Sequence, residues 1–259
     1  MDPDFVRAAF DQQVRQHPDA GADSQVERAP GIVRTIGVPG GWSGVVWSEL
    51  DAASADGVIA SEVSRFSIFG RPWEWKYYSY DTPADLPRRL LGAGFEPEPV
   101  ESLLVAEIAE LDLSASPPMD VELREVSSAD GLSALVDVHN EVFGGDHSDL
   151  GRALAPSLES EPRSVVAVLA MSQASAVAAG RVEFHPGTDF ASLWGGGTLA
   201  KWRGRGIFRA LVAYRAKLAA DRGFRYLQVD ASAESRPILQ RLGFVELATT
   251  TPFMHPGTN

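Results

Sequence analysis

One loop constrains this chain more than anything else in it. Residues 201–208 read Lys-Trp-Arg-Gly-Arg-Gly-Ile-Phe. A strand-like run interrupted by glycines, 190–199, precedes them. A helix-like run, 207–222, follows, in which Ile207, Leu211, Tyr214 and Leu218 recur at helical spacing and predict one buried stripe. Gly223 is placed to end that helix. Strand, glycine-rich turn and helix in this order commit the region to an α/β unit. Gly204 and Gly206 carry no Cβ, so main-chain N–H groups there can approach a ligand closely. The helix start adds about half a positive charge and unpaired donors, and Arg203 and Arg205 can add charge-assisted bonds. Together these suit a pyrophosphate. The plain alternative is an Arg/Gly turn that binds nothing.

Charge sharpens the contrast. Of 259 residues, 23 are Lys or Arg and 35 Asp or Glu, a net of −12. That excess of acid argues against a non-specific nucleic-acid binder. Residues 1–115 hold nine basic and nineteen acidic side chains, a net of −10, whereas residues 201–225 hold eight Lys/Arg and one acid, Asp221, a net of +7. Such a basic stretch reads either as a solvated helix face or as a local anion site. There is no cysteine, which excludes disulfides, thiolate metal sites and cysteine nucleophiles. Asp146, His147 and Asp149 match no standard metal spacing, so no metal is expected. No apolar run reaches the roughly 18 residues of a membrane span, and the first residues lack the pattern of a secretory signal. A cytoplasmic protein with no membrane partner is the expectation.

Residues 112–120, with two adjacent prolines and small polar residues, read as a linker and divide the chain into 1–115 and 116–259. Both parts close alike: a short amphipathic helix, a glycine–phenylalanine pair (Gly94–Phe95, Gly243–Phe244) and a strand-like run. This suggests a diverged internal duplication, against the alternative that such turns are simply common. In the second part the order is β-α-α-β-β-β-α-β-α-β: a strand at 121–126, helices at 130–143 and 150–160, strands at 164–171, 176–184 and 190–199, then the helix at 207–222, a strand at 225–231, a helix at 237–242 and a last strand. In the first part a helix is expected at 59–70 and an aromatic strand at 73–80. No glycine pair opens that helix; only Gly57 precedes it.

Two phosphate-binding patterns fail. No Walker string GxxxxGK[ST] occurs. Gly195-Gly196-Gly197-Thr198-Leu199-Ala200 matches a dinucleotide fingerprint formally, but it would place Gly204 and Gly206 inside a helix at about 1 kcal/mol each. The acid expected about twenty residues on would be Asp221, which ends a helix rather than a strand. The string WRGRGIFRALVAYRA instead resembles motif A of the GNAT superfamily of acyl-CoA-dependent N-acyltransferases, Arg/Gln-x-x-Gly-x-Gly/Ala. Arg203 falls on its first position and Gly206 on its second; Phe208 stands where the family has glycine or alanine. SRPILQRLGF resembles motif B. The resemblance covers about 121–253.

It implies an α/β fold of two GNAT-like lobes, each a mixed, mostly antiparallel sheet flanked by helices, with a first lobe that lacks the phosphate loop. It implies acetyl-CoA as acyl donor, with Arg203, Gly204, Arg205, Gly206, Ile207 and Phe208 at the pyrophosphate. Thr198, Leu199 and Ser232 would border the pantetheine arm, between strands splayed apart at 190–199 and 226–232. The glycine triplet Gly195–Gly197 reads as a bulge that opens the sheet there, or as a tight turn that splits the strand.

An amine acceptor, protonated near neutral pH, must lose a proton before it attacks a thioester. Glu183 is the first choice for that base, with Asp189 and His185 behind it; an ordinary surface role is the alternative for each. His139 reads as a packed or surface histidine. The family's usual tyrosine acid corresponds to Leu239, which cannot donate a proton, leaving Ser232, Ser235 or water. The expected activity is acetyl transfer to a primary amine of a small molecule or peptide. The acidity of the first part is in keeping with a cationic acceptor through steering. The alternatives are a catalytically degenerate acyl-CoA sensor or scaffold, and a nucleotide-dependent enzyme. The aromatic run Trp73, Trp75, Tyr77, Tyr78 and Tyr80 reads as strand packing or as a wall for the acceptor.

Overall fold

The computed structural model describes residues 1–19, 24–39, 41–159 and 163–257. The chain folds into two compact units. The first comprises Met1–Leu104, Asp230–Pro237 and Glu246–Asn259, and the second Val105–Val229 and Ile238–Val245. The terminal strand therefore groups with the first unit, where a sequential division at 115/116 places it in the second.

The first unit opens with α1 (Pro3–Phe10), whose start is capped by Asp2, its side chain accepting from the amides of Asp4 and Phe5. β1 (Ser24–Ala29), β2 (Ile32–Gly37) and β3 (Ser43–Ser48) form an antiparallel meander. It is followed by α2 (Ala55–Ser67), β4 (Trp73–Tyr78), α3 (Leu86–Gly92), β5 (Glu96–Pro97) and β6 (Glu101–Glu107). β4 runs parallel to β3. α2 starts four residues before the expected 59 because Asp51 accepts from the amides of Ala53 and Ser54 at 2.9 and 2.7 Å and sets the turn. Gly57 thus lies inside the helix. Trp73, Trp75 and Tyr77 share one face of β4, as a period of two requires. Trp73 stacks on Phe66 at 4.0 Å and meets Phe95 edge-on at 4.9 Å, so this face is core.

The second unit contains β7 (Glu122–Glu125), α4 (Ala129–Phe143), α5 (Ser148–Glu159), β8 (Val165–Ser172), β9 (Ser175–Phe184), β10 (Phe190–Thr198), α6 (Ile207–Asp221) and most of β11 (Tyr226–Ala231) and of α7 (Arg236–Arg241), the residues joining these last two grouping with the first unit. The element order read from sequence holds throughout. The end of the expected 150–160 helix, Ser160, lies outside the described residues. Ser128 caps α4, accepting from the Gly131 amide at 3.2 Å. β7, β8, β9 and β10 pair antiparallel in turn, and β11 runs parallel to β10. The core lies between this sheet and α4, with Val126, Leu135, Val138, Val165, Ala167 and Leu169 in it.

The chain closes with β12 (Val245–His255), antiparallel to β4 from Thr250 opposite Tyr78 to His255 opposite Trp73. The two helix–Gly–Phe turns are the same device. The Gly94 amide donates to Leu91 and the Gly243 amide to Gln240, both at 3.1 Å; Phe95 donates to Leu90 and Phe244 to Leu239, again both at 3.1 Å. Each glycine takes a positive φ, +92° and +106°, a conformation that costs other residues strain.

Candidate functional site

The loop between β10 and α6 has the form a phosphate cradle needs. Gly204 and Gly206 sit at φ +75° and +81°, and a Cβ at either would meet open space. Residues 203–206 are exposed. α6 begins on Gly206 with no side-chain cap, and no loop or turn carbonyl receives the amides of residues 204–209 among the described residues. Uncapped amides at a helix start are ready anion donors. Arg203 is half committed, its Nε donating to the Thr198 carbonyl at 3.1 Å. Arg205 grips Asp120 with Nη2 at 2.8 and 3.0 Å and lies over the Trp202 ring. That pair is exposed, and surface pairs of this kind are weak and salt-screened, so a phosphate can replace Asp120. Phe208, at the position where motif A has a small residue, turns its ring toward the sheet; a Cβ on Gly196 would lie 3.1 Å from it.

Upstream of the cradle, β10 bulges against β9 and parts from β11. Its register with β9 shifts between Trp194 and Gly197, the glycine triplet forming a bulge within one continuous strand rather than a turn that splits it. Gly195 holds φ +56°. On the other edge, pairing with β11 covers only Phe190–Ser192 opposite Tyr226–Gln228, although β10 runs on to Thr198. The opened edge exposes main-chain groups where a linear chain can lie.

The bulge is lined from two sides. Gly195 and Gly197 face α4, where a Cβ would meet His139 at the first and Val142 and Phe143 at the second. Gly196 faces Phe208 and Arg215 of α6. On the α4 side, His139 is buried; its Nδ1 lies 2.9 Å from the Leu135 carbonyl, which makes Nδ1 the donor and leaves Nε2 a bare acceptor without a partner among the described residues. Burial pushes its pKa down, with Arg181 and His147 adding to the shift. Trp194 Nε1 and Thr198 Oγ1 are likewise buried and unpartnered. Three such groups lie around the one bulge, where a polar ligand would find partners; Trp73 Nε1 and Trp75 Nε1, in the first unit, are unpartnered too. On the α6 side, Arg215 is buried and, among the described residues, its guanidinium donates only to carbonyls. Burial, then Arg181, pushes its pKa down to about 9.

The other residues singled out in the sequence fall as follows. Glu183 lies on β9, its carboxylate accepting from Arg181 Nε at 2.7 Å. His185 Nε2 pairs with the buried Ser192 hydroxyl at 2.6 Å. Leu199 is half-buried and donates to the Val177 carbonyl at 3.0 Å. Ser232 is exposed, in the turn before α7, where its hydroxyl accepts from the Ser235 amide at 3.3 Å; it belongs to the first unit. Leu239 is buried. The expected stripe of α6 is rotated: Tyr214 is half-buried and bonds Glu125 at 3.2 Å, while Arg215 points into the core. Among the described residues no group of His, Asp and Glu is placed to hold a metal ion, and no helix is long and apolar enough to cross a membrane.

No protein-family model matches the chain, and no curated protein is similar to it in sequence. Solved structures are similar to it over nearly their whole length. A GCN5-related N-acetyltransferase from Kribbella flavida aligns with a TM-score of 0.75 and 21% identity over 96% of both chains. A tandem GNAT protein from the clavulanic acid biosynthesis pathway aligns at 0.62 and 10% identity, over 93% of this chain and 85% of its own. A GCN5-related N-acetyltransferase from Sphaerobacter thermophilus aligns at 0.58 and 15% identity, over 99% and 87%. The chain has the GNAT fold.

Proposed function

We propose that this chain transfers the acetyl group of acetyl-CoA to a primary amine of a small molecule or peptide. The parting of β10 from β11 beside the glycine bulge, with the cradle at the end of the same strand, carries this reading. The residues present fit the donor. The amides of Gly204, Arg205, Gly206, Ile207 and Phe208, with Arg203 and Arg205, hold the diphosphate. Thr198 and Leu199 on the freed edge border the pantetheine arm. The neighbours named for acetyl transfer support the reaction class, and the tandem neighbour supports a first unit that is a GNAT-like copy without the cradle.

In the transfer, the amine loses one proton to a base and bonds to the acetyl carbon. The carbon–sulfur bond breaks, and the thiolate takes up a proton. Glu183 is the base in this reading. Leu239 offers no proton, which leaves water to supply the thiolate. The surplus of acid in residues 1–115 favours a cationic acceptor.

Acetyl-CoA at a hundred times its Kd is expected to add about 2.7 kcal/mol, a rise of several degrees in melting temperature. Gly206→Glu, which sets bulk and negative charge at the cradle, abolishes that rise. Any side chain at this positive φ also lowers the unliganded melt, so Gly206→Ala, which carries the strain without the charge, is the control. No rise with millimolar acetyl-CoA would refute the reading. Free-thiol release across a library of amines then separates a catalyst from a sensor that binds and does not turn over.

A further inference from the structure

Arg215 is a buried cation with no acidic partner among the described residues: it is 1% exposed, and no carboxylate contributes to its environment. Removing a charge from water without a counter-ion is costly, and apolar replacements of such groups are commonly tolerated or stabilising. A charge kept in this way is a candidate for a role at a site. Its geometry says which. Nε donates to the Leu211 carbonyl at 3.0 Å, within α6. Nη1 reaches out of the helix to two strands, donating to the carbonyls of Arg181 at 3.0 Å and Trp194 at 3.4 Å. Those two residues face each other as the last pair of β9 and β10 before the register breaks. Glycines clear the way: a Cβ at Gly180 would lie 2.7 Å from Nη1, and one at Gly196 would lie 3.4 Å from Nη2. The guanidinium therefore lies against the bulge backbone itself, clipping both strands at its lip.

We propose that Arg215 is a positioning residue of the transfer site: it fixes the bulge and, through the carbonyls it draws on, strengthens the bulge amides as donors to the carbonyl oxygen of a bound acetyl thioester. The Trp194 carbonyl and the Gly195 N–H belong to one peptide unit. A cation on the carbonyl polarises that unit, and hydrogen bonds in series reinforce one another where the dielectric is low. Fixed donors aimed at developing negative charge are a large source of rate in acyl transfer. The depressed pKa, about 9, leaves the group protonated at neutral pH. The inference rests on the proposed acyl-transfer reading.

The test reads the thioester itself and needs no acceptor. Acetyl-CoA labelled with ¹³C at the carbonyl is added to the full chain, and the carbonyl stretch is followed by isotope-edited infrared spectroscopy. The wild type is expected to move the band to lower wavenumber than in water. Arg215→Met loses most of that displacement while acetyl-CoA still raises the melting temperature. Arg215→Lys, which restores charge without the two-strand fork, recovers part of it. Gly180→Ala, which pushes the guanidinium aside with the arginine intact, loses it as well, and decides the matter if Arg215→Met does not fold. A full displacement in Gly180→Ala and in a folded Arg215→Met would show a merely structural arginine and overturn the proposal. So would a wild type that binds acetyl-CoA without displacing the band. A wild type that does not bind acetyl-CoA at all fails the acyl-transfer reading instead, and the inference falls with it.

Discussion

His139 shows how one side chain records the environment around it. Its ring donates from Nδ1 to Leu135, and its bare Nε2 faces Gly195. Desolvation disfavours the imidazolium, as do Arg181 from β9 and the His147 ring across a T-shaped contact of 5.9 Å. Glu183, on the same strand as Arg181, is bonded to that arginine. The folded-state pKa thus lies below the ordinary 6.5, and between the two values the unfolded chain binds more protons. Stability then rises with pH through this window: the contribution of His139 is present above about 6.5 and lost as pH falls through the lower, folded value. Thermal melts at pH 7 and pH 5 should therefore show a smaller loss for His139→Gln than for the wild type, and equal losses would contradict it. Neither His139 nor Arg215 stood out in the sequence as a side chain that would face the β10 bulge. A histidine on an amphipathic helix reads as filler. An arginine beside Tyr214 reads as solvent-facing, because charged residues are rarely buried unpaired. Gly204 and Gly206 were legible, because positive φ and a helix start leave a mark in the sequence itself.

Elements defined by local chemistry were the ones the sequence exposed. Gly223 after α6 and the paired Gly–Phe turns stand where capping rules put them, and of the capping candidates for α4, Ser127, Ser128 and Asp130, it is Ser128 that caps. The meander β1–β3 went unseen, since its strands are short, do not alternate cleanly between buried and exposed positions, and are held by partners rather than by their own periodicity. What holds α1 to that meander is equally invisible in one dimension. Arg15, just past α1, is buried and grips Asp81 with two bonds of 2.9 and 2.8 Å, while Nε reaches the Val46 carbonyl of β3 at 3.1 Å. Its guanidinium also lies 3.9 Å over the Tyr78 ring. Breaking one side of such a pair leaves a buried charge uncompensated. Arg15→Met should cost about 3–5 kcal/mol in urea unfolding, and the double change Arg15→Met with Asp81→Leu should recover much of it. A cost below about 1 kcal/mol would mean that water reaches the pair.

At the scale of the whole chain, the two matching helix–Gly–Phe turns were visible in the sequence, but the place of the last strand was not. β12 joins β4 across about 170 residues of sequence, and no local signal encodes a partner so distant. The register is specific: His255 packs 5.7 Å from Trp73, and Phe253 meets Tyr77 edge-on at 6.0 Å. Deleting residues 245–259 is expected to uncover Trp73 and Trp75, shifting tryptophan emission to the red and making residues 1–104 sensitive to protease. An unchanged spectrum would show that the first unit closes without β12.

The same strand sets an order of events during synthesis. The first hundred residues leave the ribosome long before residues 245–255 are made, so their sheet waits with a bare edge at Trp73–Tyr78 while the other unit is translated. A stop codon that falls before β12 therefore harms the earliest-made strands as much as the latest, and the sheet begun at Ser24 is complete only when translation has passed His255.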